Sequence, residues 1–174
     1  MSKSHKTHYK ALQDLVQQYG QETLVFYARV RAVGFAILEE YRSFLGAPEG
    51  AVNGVPPFEA FEPRVPYRDA MFSSYGGGAL YLEPIFMGLC TEIGNKGDDG
   101  ATWVRTVIEF RPAADGLEVL VGERQRRELI APGGETGGRR VCEAILEDVR
   151  EAFSLDLDEA RGRVRIGFVP PAQP

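Results

Sequence analysis

Side chains able to do bond chemistry are few in this chain of 174 residues, and their spacing closes off most catalytic classes. The only histidines, His5 and His8, both lie at the start, and the two cysteines, Cys90 and Cys142, lie far apart. A zinc site needs three or four converging imidazole, thiolate or carboxylate ligands, so no metal centre is expected. A cysteine nucleophile needs a neighbouring base to become a thiolate, and no histidine follows position 8. Both cysteines sit among apolar residues and read as small core side chains. Ser73 and Ser74 lack the Gly-x-Ser-x-Gly elbow of a serine nucleophile, and Asn95–Asp99 lacks the spacing of a calcium loop. Glu83, Glu92 and Glu109 fall on strand patterns, where burial would raise a carboxyl pKa. Pairing of Glu109 with Arg105, Arg111 or Arg126 is the simpler expectation. No catalytic residue is assigned, and no cofactor is implied.

Two glycine-rich loops could cradle an anion. Gly76-Gly77-Gly78 precedes a strand, so no helix N-terminus follows it. Gly133–Gly138 precedes a helix that opens with Arg139 and Arg140, and free backbone N–H groups beside two guanidiniums suit a phosphate. Gly137, Gly138, Arg139 and Arg140 are therefore the candidate anion site. The order strand, glycine loop, helix, strand over 127–168 resembles the acyl-CoA-binding part of the acetyltransferase superfamily. That resemblance implies an acyl-CoA or other phosphate-bearing ligand at the loop. The family's spacing, Gln or Arg, two residues, Gly, one residue, Gly or Ala, does not occur within 133–140, and Glu135 adds a repelling charge.

These side chains must be positioned by elements whose periodicity is plain. Leu12, Leu15, Val16 and Tyr19 recur at helical spacing and predict a first helix over 9–19, stopped by Gly20, behind a basic leader over 1–8. Phe26, Val30, Val33, Ile37, Tyr41 and Phe44 predict a second over 22–45. Residues 47–74 hold five prolines, which oppose regular pairing, and read as a long connection. Alternation over 80–93, 102–111, 117–121 and 124–130 predicts strands joined by short loops, hence an antiparallel meander. Val104, Thr106, Ile108 and Phe110 point one way; Trp103, Arg105, Val107, Glu109 and Arg111 point the other, towards solvent or a partner. A helix follows over 139–153, with Glu143, Glu147, Asp148 and Glu151 outward. A closing strand spans 164–169, and 170–174 forms a flexible tail. The predicted fold is α+β in a single domain: two N-terminal helices, a meander of four to five strands, one further helix and a closing strand.

Composition narrows the partners. A net charge of −5 opposes binding to nucleic acid, which requires a concentrated positive field. The most apolar stretch, from Leu24 onward, is interrupted by Arg29 and Arg31, so no membrane span is expected. Sixteen arginines against four lysines, with abundant Gly, Ala and Pro, point to a GC-rich bacterial genome, and the bland opening points to the cytoplasm. The surface most suited to a protein partner is the proline-ordered aromatic segment with its neighbours: Phe58, Phe61, Arg64, Tyr67, Arg68, Tyr75 and Trp103. Aromatic and arginine side chains dominate interface hot spots, and prolines reduce the entropy lost on docking. The expected function is a non-catalytic protein-binding module of the inhibitor, immunity or chaperone-like adaptor kind, with a mobile element as an expected carrier and sheet edges offering a route to homo-oligomers. The alternative is a small-molecule-binding domain or enzyme built on the 133–140 loop.

Overall fold

The apolar stripe of the first quarter of the chain forms one helix, not two. In the computed structural model, which describes residues 7–73, 84–94, 100–131, 138–154 and 165–171, α1 runs unbroken over His8–Leu45. Thr7 caps it, its Oγ1 accepting from Lys10 N–H at 3.3 Å, so the helix begins inside the expected leader. Gly20 does not stop it. A glycine in a helix interior costs only about 1 kcal/mol relative to alanine, and no proline or capping residue reinforces it here. The Gln18 Nε2 donates to Glu22 Oε1 at 2.8 Å, and Thr23 Oγ1 donates to Tyr19 O at 2.8 Å, tying the turns on either side together. The true stop is Gly46 in the left-handed conformation (φ 61°), its N–H directed at Arg42 O and Ser43 O, with Pro48 two residues on.

The sheet is antiparallel, in the order β1-β2-β3-β4-β5, with β1 Val52–Val55, β2 Ile85–Gly94, β3 Ala101–Ala113, β4 Gly116–Val121 and β5 Arg126–Ile130. β1 lies within the stretch expected to be irregular: residues 49–55 hold no proline, and the strand ends where Pro56 begins. β6, Ile166–Val169, pairs with Ala101–Val104 of β3. β4 pairs with Ile108–Ala113 of the same strand edge, because β2 occupies the opposite edge along Ala101–Phe110. The sheet therefore forks at Arg105–Val107. Two backbone bonds mark the branches, Arg105 N–H to Arg165 O at 2.7 Å and Gly122 N–H to Val107 O at 2.9 Å. The portion of the expected strand over 80–83 lies outside the described residues.

Register places Val52, Met87, Leu89, Ile108, Phe110, Val119, Val121 and Ile130 on one face. Over it pack the second half of α1 and α2, Gly138–Ser154, and their buried side chains form one cluster with that face. The helix expected over 139–153 and its apolar stripe are present, but Asp148 is not outward: it is fully buried. The opposite face is not left to solvent either. Arg105 and Glu109 are buried on it, because the chain leaving β1 crosses the sheet there. It passes so close that a Cβ on Gly88 would strike the carbonyl oxygens of Val55 and Pro56.

Candidate binding surfaces

The strap over the outer face contains most of the residues singled out for partner binding, and Arg105 holds it down. The Arg105 guanidinium donates to Pro56 O at 3.1 Å and to Glu59 O at 2.6 Å, and it lies 5.0 Å from the Phe61 ring centroid. Burial pulls its pKa below the ordinary arginine value, against the opposing pull of Glu59. Phe61 meets Trp103 edge-on at 4.7 Å, and Phe58 meets Phe86 at 5.0 Å. Arg64 forms a two-pronged pair with Glu92, and the Tyr67 hydroxyl accepts from Glu62 N–H at 2.8 Å. Arg68, with φ 50°, opens a short 3-10 turn over Arg68–Met71. Four of the seven residues, Phe61, Arg64, Tyr67 and Trp103, are thus engaged in seating the strap. Phe58 keeps an exposed ring beside it, and Tyr75 lies outside the described residues. Glu109 pairs with Arg111 at 2.5 Å, one of the three pairings expected for it.

At the fork of the sheet lies a cleft of about 470 Å³, lined by Phe58, Phe86, Arg105, Glu123, Asp148 and Arg165 among others. Its charges close on one another. Asp148 pairs with Arg165 at 2.5 Å, accepts from Thr106 Oγ1 at 2.7 Å and accepts from Glu123 N–H at 3.1 Å. Arg165 also donates to Asp148 O at 2.9 Å and lies 3.6 Å from Glu123. These bonds tie α2 to the fork of the sheet. Cys90 and Cys142 are buried, and loss of hydration pushes each thiol up to about 12, away from thiolate chemistry. Among the described residues, no group of three His, Cys, Asp or Glu side chains is placed to hold a metal ion.

The N-terminus of α2 faces a carboxylate of the chain itself. Gly138 is buried, and a Cβ there would collide with the Glu40 carboxylate of α1. Glu40 thus supplies a negative charge where the helix dipole favours one. Arg139 pairs with Glu143 at 3.1 Å, and Arg140 borders a shallow cleft with Arg126, Glu128, Glu143 and Glu147. Gly137 and the rest of the glycine loop lie outside the described residues.

A row of exposed apolar side chains lies elsewhere, on the first turns of α1. Tyr9, Leu12, Leu15, Val16 and Tyr19 are 70%, 58%, 61%, 71% and 49% exposed. They lie on the same side of the helix as Phe26, Val30 and Ile37, which are buried against the sheet. The stripe is continuous in the sequence; its cover ends at Thr23, the first buried residue of the helix. His8–Glu22 is therefore an arm, about 22 Å long at 1.5 Å per residue, that carries a core-like face past the end of the core. Sequence periodicity marked these side chains as helical and apolar; that they extend beyond the sheet is a matter of tertiary placement. No protein family, curated protein or solved structure shows significant similarity to this chain.

Proposed function

We propose that the chain is a non-catalytic protein-binding module whose binding element is the arm of α1. The observation that carries this reading is the row of five large apolar side chains, each about half or more exposed, on a helix whose later turns bury the same face in the core. Exposed apolar area of this extent on a folded domain marks an association surface. The outer turns of the arm have little tertiary packing, so a covering partner would also protect them from fraying. Paired charges in the sheet fork and thiols locked in the protonated state add nothing that favours catalysis.

The test is capture by the tagged full-length chain, comparing wild type with a Leu12→Glu/Val16→Glu variant. Both positions lie outside the core, so the melting temperature should stay within a degree or two. The reading expects wild type to retain a stoichiometric protein partner, its own copy included, and the variant to lose it. Retention by both proteins overturns it.

A further inference from the structure

We infer that the arm of α1 pairs with the same arm of a second copy, as a short antiparallel coiled coil. This rests on the reading of the arm as an association surface and names its occupant.

Tyr9, Leu12, Val16 and Tyr19 follow one another at intervals of three, four and three. The pattern continues through Thr23, Phe26, Val30, Val33 and Ile37. An alternation of three and four is the heptad seam of a coiled coil, with Tyr9 and Val16 at a and Leu12 and Tyr19 at d. The sheet and α2 cover this seam from Thr23 onward. Before that point it calls for another helix with the same repeat, and the arm itself has it.

The antiparallel direction follows from four features. In an antiparallel pair each a position faces a partner's d position. Setting Tyr9 against the partner's Tyr19, and Leu12 against the partner's Val16, uses all four seam residues of both arms at once. The same register brings Leu15, which lies outside the seam yet is 61% exposed, against the partner's Leu15. It also sets His8 beside the partner's Glu22, both at g positions, which face each other across an antiparallel pair. Finally, antiparallel arms carry the two globular bodies to opposite ends of the coil; parallel arms would crowd them at one end. The five exposed side chains offer on the order of 600 Å² per arm, so two arms together reach the lower end of the range for stable interfaces, about 1,200 Å².

Sedimentation equilibrium of the full-length chain tests the pairing, with cross-linking to read its direction. Wild type at tens of micromolar should sediment at twice the monomer mass, and Leu12→Glu/Val16→Glu at the monomer mass with an unchanged melting temperature. A short bismaleimide should link Leu15→Cys into a dimer and leave Tyr9→Cys unlinked, since the two Tyr9 positions would stand about 15 Å apart along the coil. The native Cys90 and Cys142 are buried and serve as the unlinked background. Wild type that stays monomeric overturns self-pairing, and if its arm still captures another protein the proposed function stands alone. A dimer unaffected by the arm substitutions overturns both. Efficient linking through Tyr9→Cys overturns the antiparallel register. Cross-linking of the single variants carries the test if the double variant aggregates.

Discussion

Asp148 of α2 and Arg165, one residue before β6, form an ion pair of 2.5 Å that plugs the point where β4 and β6 part from β3. Asp148 is fully buried, and its other contacts, Thr106 Oγ1 and Glu123 N–H, belong to β3 and to the turn after β4. One carboxylate thus joins the helix to three parts of the sheet. Removing one partner of a buried pair strands the other charge away from water, at a cost of about 3–5 kcal/mol. Asp148→Ala should lower stability by that amount in urea unfolding. The double change Asp148→Ala/Arg165→Met should recover part of the loss, because no unpaired charge remains. A loss below about 1 kcal/mol for the single variant would mean the pair is not structural.

Phe61 and Trp103 offer a direct optical probe of the strap. Trp103 is the sole tryptophan, and the Phe61 ring lies against it at 4.7 Å. Phe61→Ala should shift tryptophan emission to the red and cost about 1–3 kcal/mol in lost packing. An unshifted spectrum would show that the strap does not shield the indole.

Gly34 is the close-packing point of α1 on the sheet. A Cβ there would lie 2.6 Å from the Phe72 ring and 3.1 Å from the Met87 sulfur. Alanine favours helix, yet Gly34→Ala should destabilise the protein by about 1–3 kcal/mol, since overpacking outweighs propensity. Chemical denaturation reads the sign: a stabilised variant would place α1 further from the sheet.

Cys90 and Cys142 predict an alkaline limb in the stability curve. Burial raises both thiols to about 12 in the folded protein, from 9.0 for an unhindered thiol. The folded state therefore holds protons that the unfolded state releases above pH 9. The stability this provides is complete below pH 9 and falls as pH rises towards 12. Midpoints of urea unfolding from pH 8 to 11 should decline, and less steeply in Cys90→Ala/Cys142→Ala. Parallel declines in the two proteins would contradict the assignment.

Strand periodicity made the sheet legible, because alternation along β3 to β5 survives any tertiary arrangement. The two-helix expectation fails at Gly20, because one glycine without a second breaker costs little beside the packing of α1. The covering of Arg105 could not be seen, since it depends on where a proline-rich segment crosses. Asp148 was placed outward because it neighbours Glu147 and Glu151, although it also adjoins Val149 and lies three residues after Ile145, on the margin of the buried stripe. The arm residues are legible as an apolar helix, but only their place beyond Thr23, where burial of the helix begins, shows that they stay exposed.

Hydrogen exchange of the 8–22 amides across protein concentration tests the role of the arm most directly. The end of a helix that is held by association gains protection as association fills, and frays when diluted. The account predicts that protection of these amides rises with concentration and disappears in Leu12→Glu/Val16→Glu, while core strands β2 and β3 are unchanged. Protection of the arm that is the same at every concentration and in both proteins would contradict it.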